Sequence, residues 1–247
     1  MKTRFMTLCV AAGVLALGSA AQALTTIGTA TYNGSAYNLI WDDDNNGNSL
    51  VWLDYSNSQA HWGDQMTWAA GLGSFLTYNI DSSYTVTWSD ASWRLPSAGS
   101  DPVYGCQAAT QEMGHLYYDE LGFVGGFNVD GVTAPDLGSC MFDNLQLGGY
   151  WTHTEDPIDY GFFVLDAAWA FFTKINRSTP YDDIGYGFQD IDSNGSGWLS
   201  PLHYGIAVRG GEVTAASNGV IPEPVTMLGV LASIVGVGTY VRKRRIT

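Results

Sequence analysis

The chain has 247 residues, 46% of them apolar, with 24 acidic against 10 basic residues and a formal net charge of −14. It is long enough for one ordinary domain with a proper core. Only Arg94, Lys174, Arg177 and Arg209 lie between Leu24 and Ile221, against 23 carboxylates, a net of −19; such a surface excludes nucleic acid and anionic membrane as partners and suits cation binding or solubility outside the cell.

Taken in chain order, Met1–Arg4 is basic, Phe5–Gly18 is apolar and Ala21-Gln22-Ala23 is a small-x-small site. That order predicts a secretory signal peptide over residues 1–23, cut by signal peptidase after Ala23. Thr29–Tyr32, Asn33-Gly34 and Ala36–Trp41 predict a β-hairpin with a type I′ turn, and Leu50–Leu53 a third strand. Trp68, Ala69, Leu72 and Leu76 recur at helical spacing and predict a helix over Asp64–Leu76. Glu112–Leu121 is the second predicted helix, with Met113, Leu116, Tyr117 and Leu121 inward and Gly122 as C-cap.

Short aromatic strands are expected at Gly149–Thr154, Phe162–Leu165, Trp169–Thr173 and Gly205–Arg209. Two helices among such strands predict an α+β fold for a domain over residues 24–213. Long connections run over 97–108, 122–141 and 176–201, the kind of loop that carries function. Residues 214–221, small and polar, read as a linker. Val225–Val241 is an uncharged run of about 17 residues, ~26 Å as a helix and enough for a bilayer core. Arg242, Lys243, Arg244 and Arg245 follow at once and hold that end in the cytoplasm.

Cys106 and Cys140 remain once the signal peptide is removed. In an oxidising compartment they are expected to pair, closing a loop of about 33 residues worth ~3–4 kcal/mol. Two stretches carry the first half of a calcium-loop pattern: Asp42, Asp44 and Asn46 before Gly47, and Asp190, Asp192 and Asn194 before Gly195. Calcium is the one cofactor the sequence suggests. Neither stretch has the bidentate Glu at position 12, so a remote carboxylate would complete the shell, and the alternative is a polar β-turn. Tyr104, Tyr181, Tyr186 and Trp198 are loop aromatics that can stack on sugar faces. Among the histidines, Glu112 and His115 share a helix face as a local hydrogen-bonded pair or half a metal site, and His153 and Glu155 alternate on a strand. Nucleophile-elbow, phosphate-loop and zinc-cysteine signatures are absent from the sequence. Arg94 and Arg209 read as structural clamps.

The tail Pro222-Glu223-Pro224, the apolar run and the basic cluster 242–245 together resemble the PEP-CTERM sorting signal of Gram-negative exopolysaccharide producers. That resemblance implies recognition and cutting by an exosortase, with transient anchoring in the inner membrane. The domain resembles the DUF1566 family, also called the Lcl C-terminal domain. The resemblance is carried by Met66-Thr67-Trp68-Ala69, Trp93-Arg94-Leu95-Pro96-Ser97, Glu112–Gly122, Phe142-Asp143-Asn144-Leu145-Gln146, Tyr150–Glu155, Ala168-Trp169-Ala170-Phe171 and Gly205–Arg209. It implies a C-type-lectin-like fold in which terminal strands pair, two helices flank them and a loop-rich half carries any ligand site. The Glu-Pro-Asn, Gln-Pro-Asp and Trp-Asn-Asp motifs of calcium-bridged sugar recognition do not occur.

The expected function is therefore a non-catalytic binding or adhesion module with a glycan or matrix ligand. It would be exported and displayed at the cell surface or in the extracellular matrix. Two alternatives stand beside it: an enzyme acting on extracellular polymer, and a purely structural matrix protein.

Overall fold

The Asn33-Gly34 pair turns the chain as expected, with both residues left-handed (φ 49° and 81°). It joins β1 (Thr25–Tyr32) to β2 (Ser35–Asn45). A second left-handed pair, Asn46 and Gly47 (φ 53° and 80°), joins β2 to β3 (Asn48–Ala60). In both, two positive φ values give the twist that matches the flanking strands. The computed structural model describes residues 24–106, 110–127, 131–156, 167–176, 184–193 and 201–216. After β3 come α1 (Trp62–Gly71) with a 3-10 turn at Leu72–Ser74, β4 (Thr77–Ile80), β5 (Tyr84–Trp88) and β6 (Gly105–Cys106). Then follow α2 (Glu112–His115), which widens into a π-helical turn at Leu116–Glu120, and β7 (Gly126–Phe127). The remaining strands are β8 (Gly149–Asp156), β9 (Ala167–Phe172), β10 (Ile175–Asn176), β11 (Ile184–Tyr186), β12 (Phe188–Ser193) and β13 (His203–Ala215).

Among the described residues the strands form a ten-stranded mixed sheet, ordered β4-β1-β2-β3-β13-β8-β9-β12-β6 with β5 on β13, and a small β10-β11-β7 sheet. β13 organises the large one. Its first part runs antiparallel to β3, from His203↔Ala60 to Gly210↔Leu50. Its last part leaves β3 and pairs with β5, from Gly211↔Trp88 to Ala215↔Tyr84. It meets β8 in parallel at one position only, Tyr204↔Tyr150.

Beyond that point the Trp93–Ser97 segment acts as a splint. Arg94 exchanges two backbone hydrogen bonds with Val208 (3.0 and 2.9 Å), and the His153 amide donates to the Pro96 carbonyl at 2.8 Å. Trp52, Trp93 and Trp151 are fully buried, one in each of three packed apolar clusters. Burying an aromatic of this size stabilises by ~3 kcal/mol or more.

This architecture corrects the expected α+β, C-type-lectin-like fold: the described chain is predominantly a large mixed β-sheet. Strand β1 pairs with β2 and β4 rather than with β13, so the terminal strands do not pair. The cause is strand length. β3 and β13 each span 13 residues and β2 spans 11, because polar stretches such as Asp42–Asn45 and Tyr55–Ala60 are carried into strands by pairing with their neighbours. Strand formation follows that context more than intrinsic propensity. The two helices are shorter than expected, and Gly122 (φ 65°) ends the second one as anticipated. Residues 214–215, expected in a linker, continue β13.

No helix among the described residues is long and apolar enough to cross a membrane. The expected C-terminal membrane helix over 225–241 lies outside the described residues. So do the signal peptide 1–23, the 162–165 strand, the sorting motif Pro222, Glu223 and Pro224, and Arg242 to Arg245.

The expected Cys106–Cys140 disulfide is absent from the structure. The two sulfurs serve different surroundings. Cys106 lies in β6 with its Sγ 3.8 Å from the Tyr186 carbonyl. Cys140 follows the Leu137–Ser139 turn, its Sγ directed at the Leu137 and Phe142 carbonyls (3.2 and 3.4 Å). Burial pushes the Cys140 thiol above its ordinary pKa.

Candidate functional site

On the side of the Tyr204↔Tyr150 contact away from the splint, β13 and β8 are not joined, and a cleft of about 460 Å³ opens there. Gly148 and Gly149 enter β8 along one wall. They must be small: a Cβ on Gly149 would sit 2.6 Å from His203 Nδ1 and 2.8 Å from Phe172 Cε1. His203 is 7% exposed and is fixed from three sides. Its ring packs 4.5 Å from that of Trp151 and edge-on to Phe172 at 5.1 Å, and its Nε2 lies 2.9 Å from Asp192 Oδ2.

Asp190 and Asp192, two apart on β12, line the same cleft with Gln59 and Lys174. The Gln65 amide braces the floor: its Nε2 donates to the Ser58 and His203 carbonyls (2.7 and 2.9 Å), and its Oε1 accepts from Asn57 Nδ2 (2.8 Å). These bonds cover the point where the β3–β13 register shifts. The result is an open depression combining carboxylates, an ammonium, an amide and aromatic edges. It suits a ligand that presents several hydroxyls.

The structure thus brings together Asp190 and Asp192 from the second expected calcium stretch, while Asn194 lies outside the described residues. The first stretch does not converge. Asp42 is 2% exposed and points inward, whereas Asp44 and Asn46 are exposed at the β2–β3 turn. There Asp44 Oδ1 accepts from the Gly47 amide at 3.0 Å, the polar-turn alternative. Tyr186 is 6% exposed, so it is core and not a free stacking platform. Tyr181 and Trp198 lie outside the described residues. Tyr104 is exposed and stands edge-on to Phe188. His153 is engaged with Pro96, its Nδ1 3.2 Å from that carbonyl.

Glu112 and His115 do not pair with each other. Glu112 takes a fork of two 2.7 Å bonds from Arg94 and a 2.6 Å bond from the Ser97 amide. Burial works against the Arg94 charge, but Glu112 and Asp90 outweigh it and hold the guanidinium above its ordinary pKa. This clamp ties the splint to α2. His115 turns the other way, its Nδ1 3.2 Å from Asp119 Oδ2 and its Nε2 3.4 Å from Glu120 Oε1. Asp42, from β2, joins them: one ligand atom each of Asp42, His115 and Glu120 lies within 4.8 Å of the others. Burial raises the pKa of both carboxyl groups, and Asp42 further raises that of Glu120.

Sequence reasoning named Asp42 and His115 as metal-ligand candidates with other partners, and missed Glu120, the convergence of the three and the cleft residues Gln59, Lys174 and His203. For the cleft, the Asp-x-Asp alternation at 190–192 was the one local signal. Comparison with family models, with curated proteins and with solved structures returns no match for the chain.

Proposed function

We propose that this is an exported binding protein of the cell surface or exopolysaccharide matrix, and that its domain binds a glycan in the cleft between β8, β9, β12 and β13. The observation that carries the reading is the cleft itself. Its volume of about 460 Å³ falls in the range of small-molecule sites, and its walls combine Asp190, Asp192, Lys174 and Gln59 with the Phe172 ring. Carboxylates and amides accept from neighbouring sugar hydroxyls and an ammonium donates to a third, while the largely buried Phe172 ring adds only a small apolar part of the wall. The signal-like N-terminus, the Pro222-Glu223-Pro224 tail with its basic cluster, and the acidic surplus support export and exosortase processing. Asp190 and Asp192 on one strand face would give calcium part of an oxygen shell.

The test is thermal melting of the full chain against matrix oligosaccharides, with calcium or with EDTA. Ligand at 100 times its Kd adds ~2.7 kcal/mol of stability. That gain should disappear in Asp190→Asn and Lys174→Met variants. Melting that no glycan shifts, with or without calcium, refutes the binding half. Recovery of the chain from cytosol with residues 1–23 attached refutes the export half.

A further inference from the structure

We propose that Asp42, His115 and Glu120 bind one divalent transition-metal ion of the zinc or manganese type. The site is separate from the cleft and does not rest on the glycan reading. Its three ligand atoms come from β2, α2 and the π-helical turn, and all lie within 4.8 Å of one another. A tetrahedral ion with bonds of ~2.0–2.1 Å sets its ligands about 3.3 Å apart. His115 Nε2 and Glu120 Oε1 already stand at 3.4 Å.

At 3.4 Å that contact falls outside the range of a well-formed N–H···O hydrogen bond. His115 Nε2 is buried without a hydrogen-bond partner, and so is Asp42 Oδ1, on a side chain only 2% exposed. Buried polar atoms are rarely left unpaired, and an unplaced ion is one of the standard reasons when they are.

The surroundings of the ligands fit as well. Asp42 Oδ2 accepts from Asn45 Nδ2 (2.8 Å) and from the Trp52 indole (3.1 Å), which fixes the carboxylate and leaves Oδ1 available. Asp119 Oδ2 lies 3.2 Å from His115 Nδ1, placed to accept an N–H there in the tautomer whose Nε2 lone pair faces the cluster. This carboxylate–histidine arrangement is the one that orients metal-bound imidazoles. Among the described residues no lysine or arginine pairs with Asp42 or Glu120. Two desolvated carboxylates beside one imidazole form an excess of negative charge that a dication would neutralise.

The π-helical turn has a reason here too. Residues five apart on an α-helix point about 140° from one another. The wider turn, closed by the Leu121 amide on the Leu116 carbonyl at 2.9 Å, brings Glu120 round to the His115 side. Wide turns of this kind recur at functional sites. A nitrogen ligand favours zinc, manganese or cobalt over calcium, which takes oxygen alone. Three protein ligands leave a fourth position for water.

The test uses the full chain, purified without a polyhistidine tag, stripped with chelator and titrated with Co²⁺. One equivalent should bind with a visible ligand-field spectrum and be displaced by one equivalent of Zn²⁺, but not by Ca²⁺. Glu120→Gln and Asp42→Asn should each weaken uptake at least tenfold, and His115→Gln should abolish the spectrum. Circular dichroism of each variant separates lost binding from lost folding, and Glu120→Gln, at a ligand less confined than Asp42, keeps a folded readout. Asp64→Asn, at an exposed carboxylate in the first turn of α1, should leave Co²⁺ uptake unchanged. Absence of stoichiometric uptake by the folded wild type overturns the proposal, as does uptake that a folded Glu120→Gln variant retains in full.

Discussion

Replacing Glu112 by Gln tests whether the splint between β13 and β8 is held from α2. The change keeps the shape of the side chain and an oxygen for the Ser97 amide, but removes the charge that faces both Arg94 nitrogens at 2.7 Å. Arg94 would be left with Asp90, 3.6 Å from its Nε, and with the Leu95 carbonyl at 3.1 Å. Removing one partner of a buried pair costs ~3–5 kcal/mol. Arg94 keeps 29% of its side chain exposed while Glu112 keeps 10%, so water relieves part of the loss and ~2–4 kcal/mol is expected. For a domain of this size that is a fall in Tm of ~4–16 °C. Urea unfolding of wild type, Glu112→Gln, Arg94→Met and the double variant gives the coupling directly, and ~1.5–3 kcal/mol is expected. A coupling below about 0.5 kcal/mol, with m-values unchanged, would show that the fork does not carry the splint.

Two further perturbations are as specific. Gly149→Ala drives a methyl group against His203, which cannot retreat without losing Asp192 and its packing on Trp151; the expected cost is ~1–3 kcal/mol by urea unfolding, and a neutral result would show the cleft wall to be soft. Asp54 accepts from the Asp143 and Asn144 amides at 2.9 and 3.0 Å, yet burial pushes its carboxyl above the usual aspartate range. The native state therefore holds that proton more readily than the unfolded chain. Its contribution is full below the ordinary aspartate value of about 3.9 and is lost as pH rises through the raised native value. Wild-type stability minus that of Asp54→Asn should fall with pH across that window and be flat above it; a difference that rises with pH refutes the assignment.

Local chemistry was legible in the sequence and long-range placement was not. Asn33-Gly34 announced its own turn because two left-handed residues are a property of the dipeptide. Met113, Leu116 and Tyr117 announced a buried face and occupy one. Asp42–Gly47, by contrast, matched half a cation loop and folded as a hairpin turn. Nothing local distinguishes a carboxylate that caps a turn, as Asp44 does, from one carried into the core, as Asp42 is. His115 and Glu120 are five apart, a spacing that ordinary helical periodicity reads as opposite faces, and the π-helical turn reverses that reading. The large sheet escaped for a related reason. Ser, Asn and Asp in 54–60 look like loop until β13 lies beside them.

The position of the cleft follows from one topological fact. A parallel contact between β13 and β8 limited to Tyr204↔Tyr150 leaves both strand edges open on either side of it. Toward the strand C-termini the gap is filled by Trp93–Ser97, whose backbone supplies the missing bonds to Val208 and His153. Toward the N-termini, at Gly149 and His203, no segment among the described residues takes that place. The space is instead bounded by His203, Asp192 and Lys174. Closing the first gap and leaving the second requires the splint to be anchored from outside the sheet, which the Glu112–Arg94 fork does. If the fork is what holds the two edges apart at a fixed distance, loss of the Glu112 charge should loosen the cleft at a range no contact explains. Glu112→Gln should then weaken ligand binding in the cleft even under conditions where the variant is fully folded.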